Sequence, residues 1–225
     1  MQTRSTAIVA PYGGTVDRST AHRVLRNTYA LLSMTLLLSA AVAWAAVAFN
    51  LPAPGLILTL VAYFGPLFGI HKLKNSGMAV GLVFALTGFM GWTLGPLLTR
   101  TLAMPGGNQA VMLALGATGA VFLALSAYAR TTKRDLSWMG GFLFAGMVVA
   151  LLAGLAAIFF QIPALALTVS AVVALLSAGL ILFETKQIVD GGETNYVLAT
   201  VSLFVSIFNL FTSLLQLFGV MGSDD

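Results

Sequence analysis

Seven apolar segments dominate the sequence, and each is close to the length that a helix needs to cross a bilayer. They lie at approximately 28–49, 55–70, 77–99, 110–129, 138–160, 164–183 and 196–220. A transmembrane helix needs about 20 apolar residues to cross a hydrocarbon core of about 30 Å. Only 8% of the 225 residues are charged, whereas a soluble domain has roughly 25%. We therefore predict an all-α membrane protein with seven transmembrane helices.

The distribution of Lys and Arg among the loops predicts the orientation of the bundle. Four cationic residues precede the first apolar run, and two, three and one lie in the second, fourth and sixth loops; the alternate loops hold only Arg100. Because positively charged loops remain in the cytoplasm, we place the N-terminus in the cytoplasm and the C-terminal "GSDD" in the periplasm. Residues 1–21 lack any hydrophobic periodicity and are predicted to be a disordered tail, and residues 22–225 are predicted to form the membrane domain.

The sixth helix is expected to continue beyond its apolar run, which ends at Phe183. The following "ETKQIVD" contains no helix breaker, whereas the glycines at 191 and 192 are a typical C-terminal signal, so the helix is predicted to reach about residue 190. Lys186 and Asp190 are four residues apart and are expected to form an ion pair, with the Lys186 side chain extending to the headgroups. Glu184 then lies inside the helix.

A stripe of polar and small side chains follows one face of the seventh apolar run. Its members recur at spacings of three and four, and they are Asn195, Ala199, Ser202, Ser206, Asn209, Ser213 and Gln216. Such a face is unfavourable against acyl chains, so we predict that it turns toward other helices or a water-filled cavity and that the seventh helix is central. Hydrogen bonding between helices is favoured over a solvated conduit.

Glu184 is the candidate functional residue of the membrane domain. Its carboxylate either packs against the bundle, which we favour, or is solvated at the interface. Gln187, three residues later, is its only polar neighbour on the same helix face. A cationic partner would have to come from another helix or loop, and the candidates are Arg26, Lys72, Arg130, Lys133 and Arg134.

Enzymatic, metal-binding and cofactor-binding functions are not predicted from the residue types present. The chain has no cysteine and two histidines, so it offers neither a thiolate site nor a histidine cluster. It also lacks a nucleophile elbow and a glycine-rich phosphate loop. Glycines at 77, 81, 88, 91 and 95 recur at spacings of three, four and seven, and they are predicted to let the third helix pack closely against its neighbours.

Four segments of the chain carry a resemblance to a known family, and they are "HRVLRNTYALLSMTL", "PGLILTLV", "SAYARTTKRDLSWMGG" and "LFETKQIVDGGETNYVLATVSLFVSIFNLF". They resemble the Bax-inhibitor (TMBIM) family of seven-span proteins, in particular its proteobacterial branch of FtsH-protease modulators. The likeness extends over nearly the whole chain from about His22. It implies a seventh helix surrounded by the other six and an inner-membrane location. It also implies that the protein binds the membrane-anchored ATP-dependent protease FtsH and moderates its degradation of membrane proteins. The protease is expected to engage the N-terminal tail.

Other members of the family are pH-sensitive calcium leaks that use a pair of aspartates on helices six and seven. In this chain the helix-six acid is Glu184, but the helix-seven position is Ser206 in "FVSIFNLF", and Asn209 is retained. We therefore expect Ser206 and Asn209 to face Glu184 as a hydrogen-bonded remnant of that pair, near Ser202. The leading functional prediction is an FtsH modulator, and the alternative is a pH-sensitive calcium or proton leak gated near Glu184.

Overall fold

The computed structural model describes residues 18–221, which form seven α-helices joined by short connections. They are α1 (Arg18–Ala48), α2 (Leu56–Leu73), α3 (Gly77–Leu102), α4 (Gly107–Thr131), α5 (Met139–Phe159), α6 (Pro163–Val189) and α7 (Tyr196–Met221). Six of them are long and apolar enough to cross a membrane, and α2 is a shorter apolar helix. The chain is therefore a multi-pass helical membrane protein, and the seventh span remains a prediction.

The first helix begins at Arg18, four residues before the predicted boundary between the tail and the membrane domain. Residues 18–21, which were predicted to belong to a disordered tail, are the first turn of α1. The helix is stabilised there because its next turn carries Val24 and Leu25, which are each 7% exposed and belong to the hydrophobic core. Residues 1–17, the rest of the predicted tail, and the C-terminal "GSDD" lie outside the described residues.

Three helices end in the same hydrogen-bonded motif, in which a residue with positive φ follows the helix. These residues are Asn50, Gln161 and Gly191, with φ of 48°, 54° and 79°. After α6, the amide of Gly192 donates to the carbonyl of Gln187 at 2.8 Å and the amide of Gly191 to that of Ile188 at 3.2 Å. These two bonds define a Schellman motif, which satisfies carbonyls that the helix end would leave free. The glycine pair therefore ends α6 where the sequence predicted.

Helix α7 occupies the centre of the bundle and packs against α1, α2, α3, α4 and α6. Most of its length is buried, whereas the other long apolar helices are mostly exposed on the outside of the bundle. The expectation that all six other helices surround it is wrong for α5, which among the described helices packs only against α6. Gly140 and Gly146 of α5 accommodate Phe183 and Leu176 of α6, and the opposite face of α5 is apolar and exposed.

Close packing of α1 against α3 depends on two glycines. A methyl group at Gly91 would overlap the backbone of Ser39, and one at Gly95 would press against the side chain of Ala46. These positions therefore serve the packing role predicted for glycines in lipid, where close backbone approach strengthens van der Waals contact. The prediction is wrong for Gly77 and Gly81, because no atom lies within 4 Å of a side chain built at either position.

Candidate polar site between helices α6 and α7

Glu184 and Ser206 form a hydrogen-bonded pair between α6 and α7, two extensively packed helices. The Ser206 hydroxyl donates to Glu184 Oε2 over 3.0 Å. Continuation of α6 to Val189 places the carboxylate five residues before the helix end, at the level of Ser206 on α7. Ser206 is 1% exposed and Glu184 is partly buried. The structure therefore brings the helix-six acid and the helix-seven serine together in the interior of the bundle.

The other residues that were expected near Glu184 are arranged differently. Asn209 is partly buried, and within residues 18–221 no hydrogen bond joins its side chain to Glu184. The Gln187 side-chain oxygen lies against Gly192, at the end of α6. Ser202 is exposed, one turn before Ser206 on α7. The described site is thus a pair, Glu184 with Ser206, rather than a larger cluster.

The five cations proposed as partners for Glu184 are all exposed, and none forms an ion pair with it in the part of the chain that the structure describes. They are Arg26, Lys72, Arg130, Lys133 and Arg134. The Lys72 ammonium instead lies 4.9 Å from the centre of the Phe68 ring, in a cation–π contact on α2. A serine hydroxyl, not a cation, is therefore the polar partner of the Glu184 carboxylate.

Lys186 links the end of α6 to the segment that follows α4. Its ammonium donates to the Thr132 carbonyl at 2.9 Å and pairs with Asp190 at 2.8 Å. The ion pair confirms the expectation from the i, i+4 spacing. The expected extension to the headgroups is wrong, because Lys186 is only 8% exposed. The helix presents this side chain to the end of α4, where the carbonyl of the capping residue Thr132 has no partner within the helix.

Asp135 lies in the α4–α5 connection and stabilises a turn just before α5. Its carboxylate accepts a hydrogen bond from the Ser137 amide at 2.9 Å. Hydrogen bonds from the Ser137 side chain and backbone, with a smaller contribution from the charge of Lys186, lower the pKa of Asp135. This acid therefore remains ionised beside the cationic residues of the same loop.

Three members of the polar stripe on α7 bond to other segments. Asn195 caps α7 by accepting from the amide of Val197 at 2.9 Å, and its side chain donates to the Lys74 carbonyl at 2.9 Å. Ser206 bonds Glu184, as described above, and Gln216 accepts from the Ser170 hydroxyl of α6 at 2.8 Å. The stripe thus makes hydrogen bonds between helices, and the contacts through Ser170 and the Lys74 carbonyl were not foreseen.

The stripe is not buried along its whole length, although the exposed Gln216 still bonds to α6. Ser202 and Gln216 are exposed, whereas Ser206 and Ser213 are buried. The difference arises because a helix face is buried only at heights where a neighbouring helix covers it, and α5 does not reach α7. A periodic pattern gives the direction of a side chain but not the extent of its neighbours.

The chemistry available at the Glu184–Ser206 pair is that of one acid and one hydroxyl. Two carboxylates close together would share a proton and titrate as a unit, which this pair cannot do. Calcium takes about six to eight oxygen ligands, usually with several carboxylates. The described residues include no group of three or more His, Asp or Glu side chains that could hold a metal ion. The geometry is suited to joining α6 to α7.

Comparison with known proteins identifies relatives along almost the whole chain. The family profile described as "Inhibitor of apoptosis-promoting Bax1" matches residues 21–223. "Modulator of FtsH protease YccA" of Escherichia coli K12 is 51% identical over 203 residues, which are 90% of this chain and 92% of the relative. "Inner membrane protein YccA" of E. coli O6:H1 has the same identity and coverage. An uncharacterized protein of Pseudomonas aeruginosa is 48% identical over 202 residues, 90% of this chain and 91% of the relative.

These similarities agree with the helical architecture and settle the classification. The profile covers every described helix from the first turn of α1 to the end of α7, and the apolar helices match a relative from the inner membrane. The chain is a multi-pass inner-membrane protein, and it belongs to the Bax inhibitor family.

Proposed function

We propose that this protein binds a membrane-anchored FtsH-type protease and moderates its degradation of other membrane proteins, without being an enzyme itself. The observation that carries the proposal is the 51% identity, over nine-tenths of the chain, to a protein described as a modulator of FtsH protease. The polar stripe of α7 supports a non-catalytic role, because Asn195, Ser206 and Gln216 bond to other segments of the bundle. A modulator needs a stable binding surface and no reacting groups.

The outward face of α5 is the proposed surface for the protease within the membrane. Phe144, Leu151 and Ile158 recur at spacings of seven on one face of this helix and are 72%, 63% and 76% exposed. Because α5 packs only against α6 among the described helices, this face is free to meet a transmembrane helix of a partner. The segment before α1 is proposed to be the cytoplasmic handle that the protease engages.

Co-purification with FtsH after mild detergent extraction tests the binding step. The full chain is expected to retain the protease, and the double variant Phe144→Ala, Leu151→Ala is expected to retain several-fold less. Leu123→Ala is the matched control, because Leu123 is equally apolar and 67% exposed but lies on α4. Equal recovery from the α5 variant and the control would assign the contact elsewhere, and failure of the full chain to retain FtsH would refute the proposal.

Turnover in cells tests the moderating step and the handle separately. Excess of this protein is expected to lengthen the lifetime of membrane proteins that FtsH degrades. Deletion of residues 1–17 is expected to slow degradation of this protein itself. If neither the lifetime of the FtsH substrates nor that of this protein changes, binding does not affect proteolysis, and the modulator role is contradicted.

The alternative, a calcium or proton leak gated near Glu184, is not favoured by the site. Conduction needs several polar groups along a path, whereas the Glu184 carboxylate bonds to a single hydroxyl of the neighbouring helix. Reconstituted liposomes discriminate between the two functions. Flux above that of empty liposomes, abolished by Glu184→Gln, would establish the leak; the modulator proposal predicts flux equal to that of empty liposomes.

A further inference from the structure

A deep apolar groove runs between α1 and α4, whose backbones do not approach each other closely in the described structure. Helix α7 forms its floor, and Leu94, Leu98 and Leu102 of α3 also line it. The groove has a volume of about 570 Å³. Its walls include Ala40 and Trp44 of α1 and Leu115 and Gly119 of α4, and its floor includes Phe204 and Phe211 of α7. This volume falls within the roughly 300–1,000 Å³ typical of ligand sites in proteins.

The lining of the groove is hydrocarbon-like almost throughout. Ser39 and Thr118 are the only hydroxyl-bearing residues along it. The Thr118 hydroxyl donates to the Ala114 carbonyl of its own helix at 2.7 Å, so it does not need a ligand as a partner. The groove therefore selects a ligand that makes van der Waals contact and brings no polar group into the bilayer core.

The length of the groove matches one leaflet of the membrane. On α1 it extends from Leu36 to Val47, and on α4 from Val111 to Phe122. At a rise of about 1.5 Å per residue, both walls are about 16 Å long. The hydrocarbon core of a bilayer is about 30 Å thick, so the groove covers about half of it. A partner transmembrane helix would need the full thickness, whereas the acyl chain of a lipid needs only one leaflet.

One end of the groove is closed, and its lateral side is open. Toward the N-terminal half of α1, the Tyr29 ring meets the Phe122 ring edge to face, with centroids 5.9 Å apart. Laterally, Leu37 and Trp44 are 71% and 72% exposed, so the groove opens to the surrounding lipid. The closed end excludes a transmembrane helix, which would cross the whole membrane. It also sets the depth at which an acyl chain from the opposite interface must stop.

We propose that this groove binds one acyl chain of a phospholipid from the leaflet at the C-terminal end of α1, which is the periplasmic leaflet in the orientation predicted from the loop charges. The chain lies against Phe204 and Phe211 with its methyl end near Phe122. Contact with three rigid walls makes this lipid slower to exchange than lipids on the convex faces of the bundle. The site is independent of the α5 surface proposed for the protease.

Native mass spectrometry of the delipidated protein, titrated with phosphatidylethanolamine, tests the proposal. Gly119→Phe places a ring in the groove, whereas Gly116→Phe is a matched control on α4 outside the lining; neither position has an atom within 4 Å of an added Cβ. One tightly bound lipid is expected on the wild-type protein and on Gly116→Phe. About tenfold weaker binding is expected on Gly119→Phe.

A second blocking variant on the opposite wall, Ala40→Phe, guards against a folding defect specific to Gly119→Phe. Both blocked proteins should elute as the wild type does in detergent and lose the tight lipid. Equal lipid binding by the wild type, the control and both blocked variants would overturn the proposal. A wild-type dimer that either blocking substitution converts to a monomer would also overturn it, because a second copy would then fill the groove.

Discussion

Removal of the Ser206 hydroxyl is expected to destabilise the protein through the loss of one identifiable bond. The hydroxyl donates to Glu184 Oε2 at 3.0 Å from a residue that is 1% exposed. In water-soluble proteins a hydrogen bond to a charged group contributes about 1.5–3 kcal/mol. In membrane proteins, coupling energies of polar pairs average about 0.6 and reach about 1.7 kcal/mol, because the unfolded chain in the bilayer also finds partners. The membrane values apply here.

A double-mutant cycle isolates this bond from other effects of the substitutions. The cycle consists of Ser206→Ala, Glu184→Leu and the double variant, with the free energy of unfolding or the Tm of each measured in the same detergent. We expect a coupling energy of about 0.6–1.7 kcal/mol. For a chain of this size, 1 kcal/mol corresponds to about 2–4 °C in Tm. Ser206→Ala should therefore lower Tm by about 1–7 °C.

Ser202→Ala is the control for the cycle, because it removes the same hydroxyl from the same helix at an exposed position. It should leave Tm almost unchanged. The reasoning is refuted if Ser206→Ala and Ser202→Ala have equal effects, or if the double variant is destabilised by the sum of the two single changes. Either result would mean that the Glu184–Ser206 contact does not stabilise the association of α6 with α7.

Three further substitutions test contacts elsewhere in the bundle. Lys186→Met should destabilise the protein by about 1.5–3 kcal/mol, since the partly buried Thr132 carbonyl loses a charged donor. Lys72→Met, at an exposed lysine, should have little effect in the same thermal unfolding assay. Asn195→Ala should cost about 1 kcal/mol through loss of the α7 cap, visible as faster hydrogen exchange in the first turn of α7. Gly91→Ala should cost about 1–3 kcal/mol by overpacking, whereas Gly81→Ala should not reduce the yield or Tm.

Local sequence signals were sufficient to predict the features that depend on one helix alone. The apolar runs predicted the helices, because the length of a span is dictated by the bilayer. The glycines at 191 and 192 predicted the end of α6, because the required positive φ at Gly191 is unfavourable for most other residues. The position of Glu184 inside the helix then followed from the predicted end of α6.

Features that depend on two helices were less predictable. Ser202 and Ser206 belong to the same polar stripe, yet one is exposed and the other buried, because burial depends on which neighbour is present at each height. Lys186 is buried because α4 ends beside it, and the spacing of residues within α6 could not predict this contact. The peripheral position of α5 could not be read from its composition, since an apolar helix suits lipid and protein equally.

The central position of α7 has a consequence for the biosynthesis of this protein. Among the described helices it is synthesised after the other six, yet five of them pack on it. Until it enters the membrane, Glu184 and Ser170 on α6 lack the partners that they have in the finished bundle. The first six helices can therefore be inserted, but they cannot assemble around their common core until α7 has been synthesised. Completion of the fold is therefore a single event that waits for α7.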